Sequence, residues 1–309
     1  MPYLHLGTLL LPVLFFYVSS VDLAMHMMWR HQDPEHPFFD AAIAREDSSK
    51  WSGREGSTWR DVVDDLYLKM DPFLGKVLDR VGDDAVVMIM SDHGFAAYRR
   101  KFSLNTWLLE NGYLVLNEGR TRELPEDASG FKDVFISDAV DWSKSTAYGV
   151  GFNGLYLNLE GRESQGIVEP GAEADELLTR LKRELEAIRD DERGSEPVVL
   201  SADLASVVYA GGERLDEAPD IVVGYNWGYG NSDEATQGRI PNSVLSDNVG
   251  GTFNGSHLMH PSVVNGVLLT NQPVQLADPR LEDLTTTILK LYGVEPTPGM
   301  VGRPILSNQ

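Results

Sequence analysis

The chain contains no cysteine. That excludes disulfides, thiolate metal sites and a thiol nucleophile, so any metal must be held by oxygen and nitrogen. Basic residues are scarce as well: 26 Lys and Arg stand against 47 Asp and Glu in 309 residues, a net charge of −21. A surface of that sign repels nucleic-acid backbones, and nucleic-acid binding is not expected. An anionic small substrate can still enter where local metal cations outweigh the distant surface field. No internal repeat and no long low-complexity tract is present. Hydrophobic residues make up 42% and charged residues 24%, the balance of a globular protein. The length allows one large domain or two smaller ones, with a sizeable core.

No Lys or Arg precedes Arg30, so the apolar run Leu4–Val21 lacks the charged region that opens a secretory signal. The run has the length of a membrane span. Pro12 interrupts it, however, and its end leads straight into Asp22. A buried strand over Val13–Val21 with Asp22 at its carboxyl end is the expectation, by analogy with apolar parallel strands. A soluble chain is favoured, and the compartment stays open.

Downstream, Leu23–Arg30 has the composition of a short helix, and residues 31–56 read as a long surface loop. Apolar residues from Trp59 to Val81 recur at helical spacing, with Pro72 expected to kink or divide the helix and Gly82 to end it. Ala85–Met90 reads as a second buried strand, ending at Ser91-Asp92-His93. A short helix over Leu104–Glu110 and short strands over Tyr113–Asn117, Gly154–Leu159 and Ile221–Tyr225 follow. Glu173–Arg189 is an amphipathic helix with Leu177, Leu178, Leu181, Leu185 and Ile188 in its buried stripe. Val263–Thr270 returns to a strand, and Leu281–Tyr292 is the last helix, with Gly293 as its C-cap. Strands alternating with helices predict an α/β fold with a mostly parallel sheet flanked by helices. Residues 1–100 are expected to form a core part with metal ligands, 101–250 an inserted cap or substrate region, and 251–309 a return to the core.

The chemistry-bearing residues are Asp22 and His26, the Asp92-His93 pair, and His257 in a Gly-rich loop. In open α/β sheets, sites form at the carboxyl ends of strands. A helix after Asp22 puts His26 on the same face, within reach of one ion. Gly94 gives the chain freedom to turn after His93. Carboxylate plus imidazole suits zinc, manganese or iron and not calcium. Each pattern alone has an ordinary explanation, such as an exposed helix pair or a loop histidine. Among the other histidines, His5, His31 and His36 read as exposed loop residues, and His260 is a reserve ligand. Trp227, Tyr229 and Asn231 read as cap packing with a lesser claim on substrate recognition, and Met25 and Trp29 as core.

Taken together these segments resemble the alkaline phosphatase superfamily, most closely its type I phosphodiesterase/nucleotide pyrophosphatase branch. The resemblance runs through Ser19-Ser20-Val21-Asp22-Leu23-Ala24-Met25-His26, Ile89-Met90-Ser91-Asp92-His93-Gly94-Phe95 and Asn254-Gly255-Ser256-His257. Leu104–Leu108, Gly151–Tyr156, Leu291–Val294 and Gly302-Arg303-Pro304 fit it too. It implies that Asp22, His26 and His257 hold one divalent metal and Asp92 and His93 a second, zinc first and manganese next. It implies a metal-dependent phosphoric ester hydrolase acting on a small phosphoester. The family's early metal-binding Asp and its Thr or Ser nucleophile have no counterpart in this chain, so no catalytic nucleophile is identified. On that reading the chain is the C-terminal part of such an enzyme. Two alternatives stand beside hydrolysis: a non-catalytic metal- or phosphate-binding subunit that needs a separate N-terminal half or an oligomer partner, and a phosphomutase.

Overall fold

The computed structural model describes residues 4–6, 9–11, 13–119, 139–236 and 239–306. Its chain divides into two compact units. The smaller comprises Met1–Val21, Asp64–Gly94 and Asn265–Gln309, and the larger Asp22–Val63 and Phe95–Val264. In chain order the elements are β1 (Leu4–Leu6), β2 (Leu9–Leu11), α1 (Ser20–Gln32), α2 (Ala41–Ala44), α3 (Ser49–Ser52) and α4 (Val62–Val81). Then come β3 (Met88–Met90), β4 (Ala96–Phe102), α5 (Leu104–Glu110), β5 (Ala147–Val150), β6 (Gly154–Leu157) and α6 (Ala172–Glu186). The remainder are β7 (Arg189–Asp190), β8 (Glu196–Pro197), β9 (Val199–Leu204), α7 (Ala205–Val208), β10 (Ile221–Tyr225), β11 (Gly228–Asn231), α8 (Asp233–Thr236), β12 (Leu245–Asp247), β13 (Gly255–Ser256), β14 (Leu268–Thr270) and α9 (Leu281–Leu291).

The larger unit holds the main core. A four-stranded antiparallel sheet of order β5-β6-β10-β9 carries α6 on one face. Helix α6 presents Leu177, Leu181 and Leu185 one turn apart, and all three are buried with Val199, Ala202, Ile221 and Val223. Burying each such leucine contributes about 1.5–3 kcal/mol. The second sheet is built around β4, with β11 on one side and β12 on the other, while β13 pairs with the first two residues of β4. Strand β4 reads Ala-Ala-Tyr-Arg-Arg-Lys-Phe and is nearly all buried despite three consecutive cations. Each cation has an acidic partner. Arg99 grips Asp33 through two bonds of 2.7 and 2.8 Å. Arg100 grips Asp190 at 2.8 and 3.2 Å and also reaches Asp247 at 2.9 Å. Lys101 bonds Asp233 at 2.9 Å.

In the smaller unit β3 pairs antiparallel with β14, and β1 pairs antiparallel with β2. Ser91 N–H donates to Val267 O at 3.0 Å, and Val267 N–H to Ser91 Oγ at 2.9 Å. A Cβ on Gly266 would lie 2.7 Å from Ser91 O, so only glycine permits this approach. Helix α9 ends as expected, with Gly293 left-handed at φ 68°. Its buried Asp283 accepts from Arg280 N–H at 2.9 Å and from Arg303 N–H at 2.6 Å, which ties the tail to the helix start. Among the described residues, no helix is long and apolar enough to cross a membrane.

The fold is mixed α/β, but its sheets are not mostly parallel: among the described strand ladders only β11–β4 is parallel. Short connections such as the Gly151 turn between β5 and β6 return the chain at once, and that enforces antiparallel pairing. The stretch Val13–Val21 is not a buried strand. Residues 13–19 are irregular, and Val13 to Tyr17 are each at least half exposed. Composition reports that a segment is apolar without reporting what covers it. Asp22 therefore sits in the first turn of α1 and not at a strand end. Residues 113–117 make only an isolated bridge, Leu116 to Val140, and α4 runs through Pro72 unbroken.

Candidate metal centre

Helix α1 carries Asp22 in its first turn, where the helix dipole favours a carboxylate. His26 lies one turn later on the same face, its Nε2 3.7 Å from Asp22 Oδ1. The third member arrives from far along the chain. Strand β13 pairs with Ala96 and Ala97 of β4, and His257 follows it directly. His257 Nε2 lies 3.9 Å from the same Asp22 Oδ1, and the rings of His26 and His257 are 5.1 Å apart.

Asn254 and Gly255 dock this loop onto the helix. Asn254 N–H donates to His26 O at 2.7 Å, its Nδ2 donates to Met27 O at 2.8 Å, and its Oδ1 accepts from Arg30 N–H at 2.9 Å. The side chain is buried, so these bonds form away from competing water. Gly255 then approaches so closely that a Cβ would lie 2.6 Å from Phe95 Cε1, 2.7 Å from Met25 O and 2.8 Å from Trp29 Cβ. Its carbonyl accepts the Nδ1–H of His26 at 2.9 Å. That bond fixes the tautomer and leaves Nε2 as the free lone pair, the usual support for a ligating histidine.

Aromatic rings enclose the imidazoles. Phe95 meets His26 edge-on at 4.8 Å and lies 5.8 Å from His257, while Trp29 stacks behind Phe95 at 5.3 Å. Phe253 lies against His26 from the other side at 4.9 Å. These rings pack against the imidazole faces and leave His257 partly accessible.

Asp22 Oδ1 is buried and accepts no hydrogen bond. An orphaned carboxylate oxygen is costly unless a cation completes it. Two donors on a tetrahedral ion at about 2.0–2.2 Å lie about 3.3–3.6 Å apart. The separations of 3.7 and 3.9 Å exceed this by only a little. One carboxylate and two imidazole nitrogens are also the donor types that zinc or manganese accepts. Asp22 thus brings two imidazole nitrogens close to one carboxylate oxygen, a donor set of the kind a divalent cation accepts.

The Asp92-His93 pair follows β3 within the smaller unit. His93 Nε2 lies 3.5 Å from Asp92 Oδ1, and Asp92 is largely exposed. His93 Nδ1–H donates to Gly94 O at 2.9 Å, which orients the ring through the next residue's carbonyl.

A protein-family model of type I phosphodiesterase/nucleotide pyrophosphatase matches residues 12–248, about three quarters of the chain. The chain belongs to that family. The family lies in the alkaline phosphatase superfamily, and it makes a phosphoester hydrolase the general functional class. The matched stretch includes Asp22, His26, Asp92 and His93, and His257 lies beyond it. No curated protein and no solved structure matched the chain.

Other residues singled out by the sequence fall elsewhere. His260 caps the turn Pro261–Val263 by accepting from Ser262 N–H at 3.2 Å. His31 and His36 are buried and not exposed. His31 belongs to α1, and His36 donates Nε2–H to Tyr98 O at 2.8 Å while Nδ1 accepts from Phe38 N–H at 3.1 Å. Burial lowers the pKa of both. Tyr229 and Asn231 are buried, whereas Trp227 is exposed over Arg99, 4.5 Å from its guanidinium. The side chain of His5 lies outside the described ones. Asn254 entered the sequence reading only as part of the motif that carries His257, and Phe253, which precedes that motif, gave no signal of its own.

Proposed function

We propose that the chain is a metal-dependent phosphoric ester hydrolase in which Asp22, His26 and His257 hold one divalent cation, zinc first and manganese second. Asp92 and His93 are assigned to a second cation. The observation that carries this reading is the buried, unpartnered Oδ1 of Asp22 with two imidazole Nε2 atoms at 3.7 and 3.9 Å. Family membership supplies the reaction class. A bound divalent ion supplies Lewis acidity toward a phosphoryl oxygen and makes an oxygen nucleophile available near neutral pH. Within the chain, Asp22 contributes the negative charge that holds the ion. Gly255 O orients His26 through Nδ1, and Phe95, backed by Trp29, packs against both imidazoles.

The test is metal content by mass spectrometry alongside turnover of bis(4-nitrophenyl) phosphate. Asp22→Ala and His257→Ala each lose one equivalent of zinc and at least about a hundredfold of turnover on this reading. Unchanged stoichiometry in either variant overturns the assignment.

The segment Val13–Tyr17 favours a second reading, in which a partner polypeptide is required. Five consecutive apolar residues exposed to water mark an association surface. In that case the isolated chain binds zinc without turnover, and light scattering of the active form gives a mass above that of one chain.

A further inference from the structure

Phe253 is out of place for an ordinary loop residue. It is 48% exposed, yet its backbone is pinned on both sides. The buried Asn248 donates Nδ2–H to Phe253 O at 2.8 Å and to Tyr98 O at 2.8 Å, which clamps the loop base to β4. Asn254, the next residue, is stitched to α1 by the three bonds described above. The ring is thus presented at a fixed position, tilted against His26 with centroids 4.9 Å apart, while much of its surface faces water. Leaving that apolar surface wet costs free energy. Its neighbours share the character. Leu23, Met27 and Leu258, each directly after Asp22, His26 and His257, are all exposed. Leu23 and Met27 lie four apart on one stripe of α1, beside the stripe that carries Asp22 and His26. The exposed side chains next in sequence to the three residues are thus all apolar.

We infer that Phe253 is a specificity wall of this site and that the substrate is a phosphoester carrying an apolar, ring-bearing group, in preference to a sugar or polyol. This inference rests on the reading of Asp22, His26 and His257 as cation ligands. A phosphoryl group held beside His26 places its ester substituent within reach of a ring that touches His26. A hydroxyl-rich substituent there finds no partner on phenylalanine and loses solvation, whereas an aromatic one stacks. The stacking increment corresponds to roughly a two- to tenfold preference.

The test is calorimetric binding to the zinc-loaded full chain of benzylphosphonate, methylphosphonate and 2,3-dihydroxypropylphosphonate, none of which is turned over. Benzylphosphonate binds roughly two- to tenfold more tightly than the other two, Phe253→Ala removes that preference, and Phe253→Tyr keeps it. Zinc content of both variants, unchanged from the parent, shows that the loop still folds. Equal affinities in the parent, or a preference that survives Phe253→Ala, overturn the inference alone. Failure of all three phosphonates to bind overturns the phosphoester reading and the inference with it.

Discussion

Replacing Gly255 with alanine tests how the candidate centre is assembled. The added methyl meets three atoms at 2.6, 2.7 and 2.8 Å, where about 3.4 Å or more is ordinary contact. The Phe95 ring edge can swing a little, but the Met25 carbonyl belongs to the helix backbone and Trp29 Cβ is fixed to it. Relief therefore comes by moving β13 off α1, by several tenths of an ångström at least. That movement lengthens the 2.9 Å bond from His26 Nδ1–H to Gly255 O and carries His257 away from Asp22. Overpacking of this kind costs about 1–3 kcal/mol. A large domain loses about 2–4 °C in Tm for each of these. Disturbing the support of a metal histidine weakens affinity by about ten- to a hundredfold. Tm by calorimetry and zinc affinity by competition with a chromophoric chelator measure the two effects separately. A Gly255→Ala protein with Tm within 1 °C and zinc affinity within about twofold of the parent would refute the packing argument.

Two further predictions concern the larger unit. Arg100→Ala leaves Asp190 buried without its partner and costs about 3–5 kcal/mol, visible as a lower urea midpoint with little change in slope. For His36, burial lowers the folded pKa below its ordinary value of 6.5, and hydrogen bonds from its ring only partly offset this. The unfolded chain then binds the proton more readily, so the contribution of His36 is complete above about 6.5 and is lost as pH falls through the lowered folded value. His36→Gln therefore shows a flatter fall in stability between pH 7 and 5 than the parent, with His31 supplying the remainder. Parallel pH profiles of the two proteins would contradict this.

Local periodicity carried much of the fold. Leu177, Leu181 and Leu185 sit one turn apart and are buried as a stripe, and α5, α9 and β10 lie where spacing and turn residues place them. The four-residue step from Asp22 to His26 also needs only helical geometry. Pairing partners are another matter. Whether β3 lies parallel or antiparallel to β14 depends on a chain segment far away, and no local pattern records it. The same holds for Val13–Tyr17, whose burial depends on what packs against them. The approach of His257 to Asp22 came into view through family resemblance, because loop composition alone does not direct a histidine across the chain. Three cations in a row, Arg99-Arg100-Lys101, signalled nothing by themselves. Their burial is intelligible only once Asp33, Asp190 and Asp233 are seen beside them.

The two ring supports differ in reach. His93 leans on the carbonyl of the very next residue, so its orientation is available to any conformation that keeps that turn. His26 leans on a carbonyl 229 positions away and acquires its orientation only once the chain has closed on itself. On the proposed assignment, ion capture at Asp22 would follow completed folding, because a nascent or partly denatured polypeptide has no preassembled grip to offer.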